Sequence, residues 1–324
     1  MQAAGVETTA PQGAGAAEDP QLRAPRLSFG SWAFAFGPFA KAPWSFERLC
    51  AYAAGAGYDG VEINGFRPHP HFADFDSKAR CASLKAMIDG YGLGISGYAP
   101  DFRHVPPAEV PNRTYLREID RALAFCTRVG APILRVDSVT VPDVVDRKTY
   151  DQRHRLLVSA WQSAATRCER AGVRLVWEFE PGFWLNRPSE VLRLVDDVAH
   201  PNFKVLFDTS HAYTGAVMGA RQGPDPELLP GGVAEYARLL SSRVGHLHLI
   251  DSDGSLHNDE TSAHLPFGTG DVDFPAVLDA LRPTLDDLEW WTIDFCFCPT
   301  TERDARTAVP FVRALVGTAQ ANGR

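Results

Sequence analysis

From Arg26 onward the chain alternates between two patterns. Short apolar runs bounded by Gly, Pro or Asp are followed by longer stretches whose apolar residues recur at helical spacing. The short runs are Leu27–Trp32, Gly60–Ile63, Leu93–Tyr98, Pro132–Val136, Val173–Phe179, Phe203–Phe207, Val244–Ile250 and Trp290–Ile293. Runs of this kind suit strands buried on both faces, as in a parallel sheet. Between them, Tyr115, Ile119, Ala122, Cys126 and Val129 make one helical stripe, stopped by Gly130. Leu157, Ala160, Trp161, Ala164 and Cys168 make another, ending near Gly172, and Ala308, Phe311, Val312 and Leu315 mark the last helix. Pro188, within Asn186–Glu190, sits where a first helical turn tolerates it. Eight strand–helix alternations without a composition break predict a single-domain α/β fold, a (β/α)₈ TIM barrel over residues 26–324. The loops after the second, third, sixth and seventh strands are long and rich in Pro, Gly and His, and are expected to wall a pocket.

Composition narrows the function. The chain has 324 residues, 45% of them apolar, which is enough for a large core. Residues 1–25 lack both a basic start and an apolar stretch, so they are expected to be a disordered tail and not a signal peptide. A formal charge of −8 argues against a nucleic-acid partner, which requires a concentrated basic face. No apolar run approaches the ~18 residues that span a bilayer. The six cysteines are scattered, and Cys296-Phe-Cys298 is too close for a comfortable bridge, so all are expected to be reduced. A cytoplasmic enzyme is the expectation.

Candidate chemistry gathers at the ends of strands five to eight, which converge on the face where such barrels do their work. Glu178 and Glu180 share a face of the fifth strand, and Asp208-Thr-Ser-His211 follows the sixth. His246 and His248 share a face of the seventh, with Asp251 just beyond, and Asp294 ends the eighth. Each has a plainer explanation: an ion pair between the glutamates and Arg135, a helix cap for Asp208, core packing for one histidine. Together, Glu178, Asp208, His248 and Asp294 form an oxygen-rich set with one imidazole. That set suits Mn²⁺, with Mg²⁺ or Co²⁺ as alternatives, better than a sulfur-ligated zinc. His246 then orients the site by donating its N–H to a carboxylate. Glu62, His211, His246, Asp251, His264 and Trp32 are candidate substrate-binding residues, and Trp184 and Phe295 are further rings that a sugar could stack on. His69, His71 and His104 are expected on loop surfaces.

The chain resembles the sugar-phosphate isomerase/epimerase superfamily of xylose isomerase-like TIM barrels over nearly all of residues 26–316. The resemblance rests on Ala54-Gly-Ala-Gly-Tyr-Asp-Gly-Val-Glu62, Glu178-Phe179, Asp208-Thr-Ser-His211, His246-Leu-His248 and Phe267-Gly-Thr-Gly-Asp-Val-Asp-Phe274. It implies that Glu178, Asp208 and His248 are metal ligands, leaves Glu180 as an additional carboxylate, and assigns His211 to substrate. Two departures stand out. Asp294 occupies the place of a second, longer glutamate that epimerases of the family use as an opposing base, and Glu180 with Gly182-Phe-Trp184 is unlike most members.

The resemblance implies a metal-dependent sugar isomerase or epimerase that works through an enediolate, with Glu178, Glu180, His211 and Asp294 as the catalytic set. The alternative is a lyase using the same enolate, either an inosose-type dehydratase or the catalytic subunit of a 3-oxo-C-glycoside deglycosidase. The expected partners are a small carbohydrate or glycoside, a second copy of the chain and, for a deglycosidase, a small partner subunit. An apurinic endonuclease would need more histidine ligands and a basic groove, and a non-catalytic sugar-binding barrel would bind without turnover.

Overall fold

The computed structural model describes residues 24–142 and 146–322. Most of the expected N-terminal tail, residues 1–23, therefore lies outside the described residues. Eight parallel strands close the barrel: β1 (Arg26–Gly30), β2 (Gly60–Gly65), β3 (Gly94–Pro100), β4 (Ile133–Val136), β5 (Arg174–Glu178), β6 (Phe203–Asp208), β7 (Val244–Leu249) and β10 (Trp290–Ile293). The two-residue strands β8 (Leu256–His257) and β9 (Thr261–Ser262) form a hairpin in the loop after β7, a detail the apolar pattern did not signal.

The helices are α1 (Phe46–Gly55), α2 (Lys78–Gly90), α3 (Asn112–Val129), α4 (Arg147–Arg170), α5 (Pro188–Val198), α6 (Thr209–Ala216), α7 (Gly232–Leu240), α8 (Phe274–Leu285) and α9 (Thr301–Asn322). Their starts are written into the sequence. Ser45, Ser77, Asp146, Asp208 and Asp273 each accept a backbone N–H of the first turn. Gly130 ends α3 at φ 80°, a left-handed conformation glycine adopts without steric cost. The expected long loop after the sixth strand is corrected: α6 follows β6 directly because Asp208 caps it, and the irregular stretch starts only at Val217.

Strand register sets the site's geometry. Asp208 on β6 pairs with His248 on β7, and His248 pairs with Thr292 on β10, so the three lie in one row around the barrel. Beneath that row Ile133, Val176 and Leu206 form a small apolar plug. The main core lies between the strands and the helical ring, with Trp161, Trp177, Phe203 and Phe207 fully buried. Among the described residues all six cysteines are free, and no helix is long and apolar enough to cross a membrane.

Candidate active site

Glu178, Asp208, His248 and Asp294 meet at the C-terminal end of the barrel, each offering one atom within 4.8 Å of the others. His248 is the hub. Its Nδ1 lies 3.0 Å from Glu178 Oε1, 3.4 Å from Asp294 Oδ2 and 3.8 Å from Asp208 Oδ2. Glu178 Oε1, Asp208 Oδ2 and His248 Nδ1 are buried and have no hydrogen-bond partner. Orphaned polar atoms are costly in a protein interior, and three aimed at one another ask for a cation between them.

The opposite edges of these groups are firmly held. Asp208 Oδ1 accepts the N–H groups of Ser210 and His211 at 2.8 and 2.9 Å, so one oxygen caps α6 while the other faces inward. Asp294 Oδ1 accepts the Trp32 indole N–H at 2.5 Å, the Cys296 N–H at 2.7 Å and His264 Nδ1 at 3.1 Å. Glu178 Oε2 pairs with Arg135 at 2.6 Å, so the plainer explanation and the ligand reading describe two oxygens of one carboxylate.

Below His248, Glu62 Oε2 gathers three donors: His246 Nε2 at 2.8 Å, His248 Nε2 at 3.1 Å and the Thr292 hydroxyl at 2.7 Å. With Nε2–H committed to Glu62, the lone pair of His248 sits on Nδ1, the atom facing the carboxylates.

Electrostatics follow from this crowding. Burial works to raise the Glu178 carboxyl, but Arg135 and then His248 outweigh it and pull it down to about 2. Burial opposes charge on His248, yet Glu62, Asp294 and Glu178 hold its imidazole well above the usual histidine range. A proton on His248 thus offsets part of the surrounding carboxylate charge when no other cation does, and a divalent ion would take that proton's place. His264 rises to about 9 against its burial, because Asp294 lies beside it.

A cavity of about 650 Å³ opens above this cluster, lined among others by Trp32, Glu178, Glu180, His211, His264 and Asp294. Every residue read as catalytic therefore reaches it. Glu180 Oε2 accepts the Thr261 hydroxyl and lies 3.9 Å from His211 Nε2, whose ring is held through Nδ1 by Ser262 at 2.8 Å. The hairpin missed in the sequence supplies both hydroxyls.

Three expected substrate contacts, Glu62, His246 and Asp251, do not line the cavity. Glu62 is fully buried and engaged by both histidines. His246 shares a face with His248 but sits two residues down the strand, with its ring centre 5.3 Å away, where it does the orienting work also expected of it. Asp251 accepts the N–H groups of Gly268, Gly270 and Val272 at 2.8, 3.0 and 3.2 Å and so shapes the loop after β7. A Cβ on Gly270 would meet Asp251 Oδ1 at 2.6 Å, which explains one glycine of that motif. Trp184 and Phe295 are core, and His69 and His71 are buried instead of lying on the surface.

Asp137, by contrast, was missed. It follows β4, lines the cavity beside Arg135, and burial pushes its carboxyl up to about 7 against the pull of Arg135. Phe36, Phe66, Phe102, Phe183 and Phe297 line the cavity as well. They sit in loops whose spatial placement no periodicity reveals.

Comparison with known proteins agrees with this architecture. The family model described as xylose isomerase-like TIM barrel matches residues 50–313. The inosose dehydratase of Lacticaseibacillus casei is 24% identical over 293 residues, covering 84% of this chain and 87% of that protein. The fructoselysine 3-epimerase of Escherichia coli O157:H7 is 25% identical over 223 residues, 64% of this chain and 72% of its own. Among solved structures, a D-tagatose 3-epimerase-like protein superposes with a TM-score of 0.68 at 18% identity, covering 92% of this chain and all of that one (100%).

Proposed function

Because the chain belongs to the xylose isomerase-like TIM-barrel family, we propose that it is an enzyme that removes a proton beside the carbonyl of a sugar-like hydroxy-ketone. One observation carries the reading: the orphaned atoms of Glu178, Asp208 and His248 face one another, just below the cavity that Glu178 and Asp294 line. These three residues with Asp294 would hold a divalent ion, Mn²⁺ by the chemistry of the donor set. Bound there, it would polarise the carbonyl and stabilise the enediolate that deprotonation creates.

The chain's own residues supply the proton chemistry. Glu178 is tied to Arg135 and held strongly acidic, which makes it a poor base. Glu180 faces the cavity free of that pairing, oriented by Thr261, and is the better-placed base. Asp137, held near neutrality, can return a proton. His264 presents an unpartnered Nε2 to the cavity, a donor for a substrate oxygen.

Reprotonation on carbon gives an isomerase or epimerase, the leading reading. The second is a lyase that expels a β-substituent, either as a dehydratase or a 3-oxo-C-glycoside deglycosidase. It is favoured by Asp294, whose Oδ1 is fully committed to three donors and is no counterpart to a free opposing base. The test is turnover of ketohexoses and oxo-inositols in D₂O with added Mn²⁺. Deuterium entering the carbon beside the carbonyl is expected. Product free of label after many turnovers, with shielded return of the original proton excluded, overturns enolisation.

A further inference from the structure

The cavity has two zones. Its floor is polar, while its mouth is ringed by half-buried aromatic residues from separate loops: Phe36 after β1, Phe66 after β2, His257 on β8 and Phe297 after β10. Phe36 meets Phe66 edge-on with ring centres 5.3 Å apart and stacks with Phe297 at 6.2 Å, and Phe297 stacks on His257 at 4.1 Å. The Arg103 guanidinium lies 4.5 Å over the Phe66 ring. Rings left partly in water at a pocket mouth contribute little to folding, in contrast to the fully buried rings of the core.

The backbone is strained to keep them there. Phe297 has φ 63°, and Val139, also on the cavity wall, has φ 66°. Bulky and β-branched residues rarely adopt such values, and strain of this kind persists where a site requires it. Gly37 complements the arrangement: a Cβ there would meet the Phe297 Cα at 2.9 Å, so the glycine lets Phe297 settle against the loop after β1. A volume of about 650 Å³ also falls in the range of pockets that enclose ligands larger than one sugar ring.

We propose that the substrate carries a planar aromatic group beyond its sugar, held at the mouth by Phe36, Phe66 and Phe297, so that the site takes aryl glycosides in preference to free monosaccharides. This rests on the reading above that the floor accepts the sugar. The aromatic group stacks against Phe297 or meets Phe36 edge-on, and each such ring pair is worth roughly two- to tenfold in affinity.

Calorimetric titration of the Mn²⁺-loaded full chain with phenyl and methyl β-glucosides tests it, because neither sugar has a carbonyl to enolise and binding is read at equilibrium. The phenyl glucoside is expected to bind about tenfold tighter. That preference should fall to threefold or less in Phe36→Ala and in Phe297→Asn, the latter chosen because asparagine tolerates the positive φ and keeps the loop folded. Equal affinities in the wild type, no binding of either glucoside, or a preference untouched by both substitutions overturns the proposal. A preference that behaves as expected, in a protein that exchanges no C–H of any ketose, supports the aromatic mouth and sinks the enolisation reading alone.

Discussion

Arg135 Nη1 lies 2.6 Å from Glu178 Oε2, which leaves Glu178 Oε1 as the oxygen that faces His248. Arg135 also reaches Asp137 at 3.3 Å, so one guanidinium serves the buried Glu178 and the half-buried Asp137. Removing one partner of a buried pair leaves uncompensated charge, at a cost of several kcal/mol. Arg135→Met should therefore lower stability by about 3 kcal/mol in chelator-treated protein, with added Mn²⁺ restoring part of the loss. Chemical denaturation checks it. Matching midpoints for the variant and wild type would show that the pairing contributes nothing.

Glu62 offers a separate lever on the same site. Its Oε2 receives three donors, and Gln in its place loses the charge that fixes the His248 tautomer. Outer partners of this type are worth about 10–100-fold in metal affinity. Glu62→Gln should weaken Mn²⁺ binding by that factor, and activity should recover at saturating metal. Metal titration against a competing chelator reads the affinity directly, and an unchanged value removes Glu62 from the role.

The barrel was legible because eight buried strands and their helices differ in period, and capping serines and aspartates mark where helices begin. The convergence of Glu178, Asp208, His248 and Asp294 was legible because strand ends of a closed barrel share one face. Depth was not. Parity shows that His246 and His248 point inward together, but not which of them joins the carboxylate cluster, and it could not show that Glu62 and Asp251 lie away from the cavity lining. The aromatic mouth and Asp137 were invisible because loops carry no period: Phe36, Phe66 and Phe297 become neighbours only after the chain closes on itself.

His69 gives the fold a pH dependence of its own. Its Nε2–H donates to the Trp44 carbonyl at 3.1 Å, Nδ1 sits 3.3 Å from Ser31 Oγ, and burial lowers the imidazole to about 4. The folded state thus favours the neutral ring. That stabilisation is complete above the unfolded value near 6.5 and is lost as pH falls through about 4, on the order of 3 kcal/mol in all. His69→Gln keeps a donor for Trp44 without titrating, so the stability gap between wild type and variant should narrow from pH 7 to pH 4. A gap that stays constant in thermal unfolding across that range contradicts the prediction.

Asp294 decides between the two chemical outcomes. Its Oδ1 is fixed by Trp32, His264 and the Cys296 N–H, and Oδ2 faces His248 at 3.4 Å. If the enzyme were a symmetrical two-base epimerase, Asp294→Glu would restore a longer opposing carboxylate, and activity would survive or rise. The three donors argue the other way, because an added methylene drives the carboxylate off its anchors, and a shift of about 1 Å at such a site can cost a hundredfold. We expect Asp294→Glu to lower kcat by about a hundredfold, with metal retained at reduced affinity. Assays pairing ketohexoses with a 3-oxo-glycoside read both outcomes. Free ketoses epimerised at ordinary enzymatic rates by the wild type would sink the lyase reading, and release of an aglycone would sink the epimerase.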